Sequence, residues 1–342
     1  MNKEWYIIPD STKRNAYIQI SEATGIAPFA VEKDWWVVQA LSAIFNMEIG
    51  EHLLFKGGTS LSKAWGIIDR FSEDIDIVFD RKYLGFDGFL SGSQIKKLRK
   101  KTGRYISEDF TPKLEKTLIE GGLSDININW LKQESSDADP VKVEILYPNV
   151  MEYPGYVKPR VLLEISCSSL MEPFTVRSFD SLLDEHYLES EFADYPIDVP
   201  TVIPDRTFLE KIFLLHEEMQ RPKKRIRIEQ QSRHLYDLYQ IIIKTDHANN
   251  AINNKDLYES IVKHRYTFNR LGGVNYALHQ PQTINPIPTP DLIDAWKTDY
   301  HKMQEEMIYG DSPDFELIIR TIQSFTVDRI NKMPWNIEIH ST

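Results

Sequence analysis

Residues 55–80 read FKGGTSLSKAWGIIDRFSEDIDIVFD, and they end in a segment where acidic and apolar residues alternate. The alternation in DIDIVF, residues 74–79, predicts a β-strand that turns Asp74, Asp76 and Val78 to one face and three apolar residues to the other. Two neighbouring carboxylates on a half-buried strand cost free energy unless a positive charge compensates them. The face that carries Asp74 and Asp76 is therefore either open to water or holds a cation.

The elements around this strand predict a mixed α/β sheet. A strand at 52–55, the glycine pair Gly57-Gly58 and a helix precede DIDIVF. An amphipathic helix is predicted over 20–46, because apolar residues recur there at spacings of three and four. The pattern predicts further helices over 94–106 and 110–121, and further strands over 126–129, 141–147 and 159–169. The fold class is thus α/β (α+β), a mixed sheet with flanking helices.

The pattern changes to helical in the last part of the chain. Three prolines between 196 and 204 predict a linker. Helix 206–219 follows, with Thr207 and Glu210 in the spacing of a capping box, and a second helix is predicted over 232–243. We therefore expect two domains: an α/β domain over 1–200 and a helical bundle over 201–342.

Composition and charge narrow the class of protein. The chain has 342 residues, 42% of them apolar, and one cysteine, Cys167, which fits a reducing compartment. No signal-peptide pattern opens the chain and no apolar run is long enough to span a bilayer, so a cytoplasmic protein without membrane contact is expected. The net charge of −11 argues against non-specific coating of nucleic acid. Two segments are basic nonetheless, with six basic residues in 94–104 and five in 221–227.

The glycine pair and the acidic pair together indicate phosphate chemistry. A double glycine between a strand and a helix lets backbone N–H groups approach an anion closely. Carboxylates at positions i and i+2 of a strand can bind one hard cation, and Mg²⁺ favours a few carboxylates together with substrate phosphates. Either feature alone is common, and a glycine pair is more often only a turn. Their combination, sixteen residues apart, predicts transfer from a nucleoside triphosphate (NTP).

KGGTSL followed by RFSEDIDIVF is similar to the signature of the nucleotidyltransferase-fold toxins of the AbiEii family, which includes the mycobacterial MenT-type toxins. Both belong to the wider DNA-polymerase-β-like superfamily, whose members share a glycine motif and D-x-[DE] on a strand. FLEKIFLLH (208–216) and SRHLYDLY (232–239) resemble the two later motifs of the family. The resemblance runs from about 25 to 245 and implies a nucleotidyltransferase-fold sheet followed by helices.

The resemblance implies nucleotide-binding roles for residues around the glycine turn. Gly57, Gly58 and Thr59 would hold the β- and γ-phosphates. Ser72 would help to place the triphosphate. Lys56 is a further candidate for positioning the nucleotide.

The resemblance also implies the catalytic centre. Asp74 and Asp76 would bind Mg²⁺, Lys211 would contact the nucleotide phosphates, and Asp237 would complete the site from the helical domain. Without the resemblance, the sequence pattern alone favours a surface lysine whose stem covers the core edge for Lys211. It favours a salt bridge with Arg233, one helical turn away, for Asp237.

A third carboxylate from a neighbouring strand is expected as general base for the incoming hydroxyl. Glu144 and Glu164 are the candidates. Glu164 is preferred because its neighbours in sequence are apolar, and an unpaired glutamate in a core is rare. Arg70 and His234 are further candidates for positioning.

The family transfers a nucleoside monophosphate from NTP with release of pyrophosphate, and its MenT-type members modify the 3′ acceptor end of tRNA. A similar role here implies a tRNA substrate and a cognate antitoxin, and leaves open whether the two proteins touch. The RNA-binding candidates are Lys97, Lys101, Arg104, Lys223, Lys224 and Arg225. Two alternatives stay open: transfer to a protein or small-molecule hydroxyl, and a non-catalytic nucleotide- or RNA-binding regulator. Trp296, Tyr300 and Trp335 near the C-terminus are predicted to be exposed.

Overall fold

A computed structural model describes residues 3–72, 74–132, 135–153, 157–310 and 312–338. The chain divides into two compact units. Unit 1 comprises 1–64 and 71–201, and unit 2 comprises 65–70 and 202–342. The short segment 65–70, which lies between the glycine turn and the acidic strand in sequence, thus belongs to the unit formed by the C-terminal part.

Unit 1 contains a mixed seven-stranded sheet with order β3-β4-β5-β2-β1-β7-β6. Strand β1 pairs antiparallel with β2 and parallel with β7, β2 pairs parallel with β5, and β4 pairs antiparallel with β3 and β5. The strands are β1 (Leu53–Lys56), β2 (Asp74–Phe79), β3 (Asn127–Leu131), β4 (Val141–Leu146), β5 (Arg160–Ser166), β6 (Phe174–Phe179) and β7 (Ile197–Val202). The helices of unit 1 are α1 (Lys3–Ile7), α2 (Asp10–Thr24), α3 (Pro28–Asn46), α4 (Gly57–Lys63), α5 (Gly92–Tyr105), α6 (Thr111–Glu120) and α7 (Leu182–His186). The mixed α/β fold predicted from the sequence is confirmed.

Two expectations for unit 1 were wrong in detail. The helix predicted over 20–46 is two helices, because Gly25 takes a left-handed φ of +75° at the end of α2 and Pro28 begins α3. The proline-rich linker contains β7, whose Thr201 pairs with Phe55 of β1. Pro200 is accommodated within this strand, while Val199, Thr201 and Val202 are buried.

Unit 2 is helical. Its helices are α8 (Pro204–Met219), α9 (Ser232–Lys244), α10 (His247–Asn253), α11 (Lys255–Phe268), α12 (Ile293–Glu306) and α13 (Phe315–Asp328). The predicted capping box is wrong, because α8 begins at Pro204 and Thr207 lies inside the helix. Glu210 instead accepts a hydrogen bond of 2.8 Å from Nε of Arg206.

The aromatic residues predicted to be exposed in unit 2 are mostly core residues. Trp296 and Tyr300 are fully buried on α12, and Trp335 is half-buried. Their apolar bodies stabilise the helical unit by removal from water. In the described ranges of both units, no helix combines the length and the apolar character that crossing a bilayer requires.

Candidate active site

The glycine turn and the acidic strand meet at one close contact in unit 1. Gly57 follows the last residue of β1 and opens α4 with φ +80°. A Cβ at this position would lie 1.9 Å from Oδ2 of Asp76 and 2.7 Å from its Cγ. Both the backbone conformation and the space therefore require glycine, and the carboxylate of Asp76 lies directly against the turn.

The acidic pair occupies the half-buried start of β2. Asp74 and Asp76 are half-buried, whereas Ile75 and Ile77, on the opposite face, are fully buried. Thr59 Oγ1 donates a hydrogen bond of 2.5 Å to the backbone carbonyl of Asp74. The threonine hydroxyl thus ties α4 to the first residue of the acidic strand and orients the pair relative to the turn.

Four charged residues form a row across neighbouring strands, which we call the charged row: Lys142, Glu164, Asp76 and Lys56. The registers pair Lys142 with Glu164, Glu164 with Asp76, and Asp76 with Lys56. Residues paired in register project to the same face of a sheet, so the two carboxylates are neighbours between two lysines. Lys142 Nζ lies 2.5 Å from Glu164 Oε1, and Lys56 Nζ donates to Ser169 Oγ at 3.1 Å.

Glu164 does not have the buried, unpaired position that favoured it over Glu144, although its place in the sheet suits the expected role. Glu164 is not an unpaired core glutamate, since its side chain is 22% exposed and Lys142 neutralises it. Glu144 pairs with Arg160 at 2.6 Å and lies opposite Leu162, one strand farther from the acidic pair. Glu164 is therefore the glutamate next to Asp76, and its role as a general base stays a prediction.

The donor set limits how a cation would be held. Within the described residues, no group of three or more His, Cys, Asp or Glu side chains is arranged to hold a metal ion. Asp74 and Asp76 offer carboxylate oxygens at i and i+2 of one strand, which suits a hard cation that takes its other ligands from water and substrate. The residues present thus fit Mg²⁺ bound together with nucleotide phosphates.

The other predicted nucleotide and RNA residues take varied positions. Ser72 is half-buried just before β2. Lys97, Lys101 and Arg104 are exposed on α5, where Lys101 Nζ donates to the carbonyl of Leu84. The basic segment of unit 2 is exposed as well, and it comprises Lys223, Lys224 and Arg225. Of these three, Lys223 forms an ion pair of 2.6 Å with Asp291.

Unit 2 contains a buried ion-pair cluster around Asp237. Arg70 donates to both of its carboxylate oxygens, from Nε at 2.7 Å and from Nη2 at 2.8 Å, and Lys211 Nζ lies 2.8 Å from Oδ2. Lys211 also contacts Nδ1 of His234 at 3.3 Å. The expected partner Arg233 is replaced by Arg70, which comes from the segment 65–70. Lys211 is a buried residue rather than a surface lysine.

Electrostatics in this cluster favour a charged aspartate and a neutral histidine. Burial alone would raise the pKa of Asp237, but the charges of Arg70 and Lys211 hold the pKa of that carboxyl well below its usual range. Burial, assisted by the charges of Lys211 and Arg233, lowers the pKa of His234 well below its ordinary value. The cluster is therefore satisfied inside unit 2, and the predicted roles of Lys211 and Asp237 at the nucleotide stay predictions.

The sequence profile described as "Nucleotidyl transferase AbiEii toxin, Type IV TA system" matches residues 39–321, most of the chain. The chain belongs to the AbiEii family. The protein is thus a nucleotidyltransferase toxin from a family of toxin–antitoxin systems.

Comparison with solved structures adds a match to MenT4, a nucleotidyltransferase toxin from Mycobacterium tuberculosis H37Rv. The match has 16% sequence identity and a TM-score of 0.42, and covers 95% of this chain and 98% of MenT4. No curated protein sequence matches the chain.

Sequence reasoning missed one charged residue of this AbiEii toxin's row. Lys142 neutralises Glu164 from β4, and it lies two residues before Glu144 in VKVEILY. The alternation there signals that Lys142 and Glu144 share a face. Which of the two lies beside Glu164 depends on the register between β4 and β5, which a single sequence does not contain.

Proposed function

We propose that this AbiEii toxin transfers a nucleoside monophosphate from an NTP to a hydroxyl at the acceptor end of an RNA, specifically the 3′ end of tRNA, in the cytoplasm, with release of pyrophosphate. The observation that supports this most strongly is the contact between Asp76 and the Gly57 turn. It brings a carboxylate that can hold a cation against a backbone turn that can approach phosphates. Membership of the nucleotidyltransferase family supports the reaction class.

The residues that would hold the nucleotide follow from this contact. Asp74 and Asp76 would bind Mg²⁺, which would supply neutralisation of the charge that develops on the phosphates. The backbone N–H groups of the first residues of α4, Gly58 and Thr59 among them, have no partner within the helix and would donate to phosphate oxygens. The hydroxyl of Thr59 is already used in the bond to Asp74, so its contribution to phosphate binding would come from the backbone.

Glu164 would accept the proton of the attacking RNA hydroxyl. It is the glutamate in register with Asp76, and its ion pair with Lys142 orients its carboxylate. As the hydroxyl oxygen bonds to the α-phosphorus, the bond from that phosphorus to the bridging oxygen breaks and pyrophosphate leaves. Lys142 acts as a positioning residue in this scheme, because it touches Glu164 rather than the reacting atoms.

Exposed cations support an RNA acceptor over a small cationic substrate. Lys97, Lys101 and Arg104 place positive charge on one exposed helix of unit 1, despite the acidic composition of the chain. Such clusters bind phosphates and release counterions, so RNA binding should weaken steeply with salt.

Incubation of the purified protein with total tRNA, Mg²⁺ and each α-labelled NTP in separate reactions tests the proposal. We expect label on tRNA with one or more NTPs, equal amounts of released pyrophosphate, and no transfer by Asp76→Asn. Asp198→Asn, which alters a carboxylate of β7 outside the charged row, serves as the matched control and should remain active. Label on protein or on a small molecule would move the acceptor to the alternative hydroxyls. Nucleotide binding without release of pyrophosphate would contradict catalysis.

A further inference from the structure

A pocket of about 560 Å³ lies between α5 and the edge of the sheet in unit 1, away from the charged row. Its lining includes Lys100 and Arg104 from α5, and Trp130, Lys132 and Val141 from the sheet edge. Three of these five residues are cationic, and none of the lining residues within the described part of the chain is acidic. The nucleotide site described above uses none of these residues, and Arg104 alone among them was predicted to bind RNA.

Trp130 is unusually placed for a tryptophan. It lies on β3, the edge strand, and 39% of its surface is exposed. Tryptophan is among the largest apolar side chains, and its aromatic face offers a stacking surface to any nucleobase. An aromatic plane beside three cations is the combination with which proteins bind single-stranded nucleic acid.

The cations of the pocket are available for phosphates. Among the residues that the structure describes, Lys100 and Lys132 have no ion-pair partner within 4.0 Å, and Arg104 has Glu108 at 3.8 Å. The nearby carboxylate of Asp137 contacts Ser135 and lies 3.8 Å from Lys96, and it also attracts Lys100 electrostatically without an ion pair within 4.0 Å. The described lining of the pocket is thus basic on a chain whose net charge is −11.

We propose that this pocket binds a single-stranded segment of the RNA acceptor, with one base stacked on Trp130 and the flanking phosphates on Lys100, Arg104 and Lys132. The proposal rests on the proposed function in taking RNA as the acceptor. A polymer is favoured over a free nucleotide because the cations continue along α5. Lys96, Lys100 and Arg104 follow one another at every fourth residue, which puts one cation about every 6 Å along a helix stripe.

The register places this pocket apart from the reaction centre. Leu131 is in line with Lys142, Glu164 and Asp76, so Trp130, which precedes it on β3, projects to the opposite face of the sheet. Three strand spacings, about 14 Å, separate β3 from β2. The stacked base therefore belongs to a nucleotide distant from the reacting 3′ end. The pocket contributes to the affinity and selectivity of RNA binding rather than to the chemical step.

Fluorescence anisotropy with labelled single-stranded RNA tests this pocket in an Asp76→Asn background, in which transfer cannot alter the ligand. Trp130→Ala should weaken binding roughly tenfold, while Trp130→Phe, which keeps an aromatic plane, should lose far less. Lys132→Ala should lower the slope of log K against log salt by about 0.7, the value for one phosphate contact of a single strand. Tyr195→Ala and Lys113→Ala, which remove another exposed aromatic and another exposed lysine, are the matched controls and should bind as the background does.

A crosslinking measurement tests the same pocket without a substitution at Trp130, in case Trp130→Ala fails to fold. RNA with a photoactivatable base should crosslink to the peptide that contains Trp130 in the otherwise unaltered chain, and excess mononucleotide should not suppress the crosslink. Unchanged binding by both Trp130→Ala and Lys132→Ala, with crosslinks elsewhere, would show that RNA does not bind in this pocket, while RNA would remain the proposed acceptor. Suppression of the crosslink by mononucleotide would show that the pocket binds a free nucleotide rather than an RNA strand. Absence of any RNA binding by the background protein would overturn the pocket together with the proposed acceptor.

Discussion

Substitution of Gly57 by alanine should separate the geometry of the site from the stability of the fold. The new Cβ would lie 1.9 Å from Oδ2 of Asp76, whereas real Cβ contacts are essentially never closer than 3.0 Å. The carboxylate must therefore move by about 1 Å, and a misplacement of that size can reduce a rate about 100-fold. The positive φ adds a destabilisation of about 1–2 kcal/mol, because alanine is disfavoured in the left-handed region.

Gly85→Ala is the matched control for this substitution. Gly85 has φ +78°, close to the +80° of Gly57, but a Cβ there meets nothing within 4 Å. Both variants should lose similar stability in urea unfolding, and only Gly57→Ala should lose nucleotide transfer, measured as the initial rate of label incorporation. Transfer by Gly57→Ala within tenfold of the unaltered protein, at equal loss of stability, would refute the view that this contact orients Asp76.

Three further predictions concern burial and charge. Asp237→Asn leaves two buried cations, Arg70 and Lys211, without their anion, so it should lower the free energy of unfolding by roughly 3–5 kcal/mol. Urea titration measures this loss, and a loss below about 1 kcal/mol would contradict the ion-pair cluster. Burial, together with the nearby His279, lowers the pKa of His216 from 6.5 to about 4, so the unfolded chain binds more protons between these values. The contribution of neutral His216 to the free energy of unfolding should be fully present above pH 6.5 and should fall by up to roughly 3 kcal/mol as the pH drops to 4. His216→Gln should flatten this part of the plot of urea midpoint against pH. An unchanged plot would contradict the lowered pKa of His216. Removal of both Lys97 and Lys101 should weaken tRNA binding and flatten its salt dependence, and equal binding at all salt concentrations would exclude the surface formed by these two lysines from RNA binding.

The local pattern of apolar and polar residues was sufficient to predict the strand that carries the acidic pair. Alternation over 74–79 predicts β2 with its observed bounds, since one face of this strand is buried and the other is not. It was insufficient for β6 and β7. Much of β6 is exposed, so its sequence lacks a clear apolar face, and Pro200 made β7 resemble a linker. Proline within a strand normally argues against the assignment, but here the flanking residues supply the burial.

The candidate site was predictable where one segment supplies it, and unpredictable where distant segments meet. The motif around Gly57 and Asp76 is local, and the close contact between them follows from adjacent antiparallel strands. The pairing of Glu164 with Lys142 requires the strand order. The pairing of Asp237 with Arg70 requires the knowledge that residues 65–70 belong to the helical unit. Neither fact is encoded in the spacing of charged residues along the chain.

A crystal structure with Mn²⁺ and a non-hydrolysable NTP analogue would show whether Asp74 and Asp76 hold the metal beside the nucleotide. Anomalous scattering locates Mn²⁺, an oxygen-preferring ion that can replace Mg²⁺. We expect a peak within coordination distance of both Asp74 and Asp76, with the triphosphate against the turn at Gly57. A triphosphate bound elsewhere, or a metal peak that neither aspartate touches, would contradict the assignment of this turn and this strand as the nucleotidyltransferase centre.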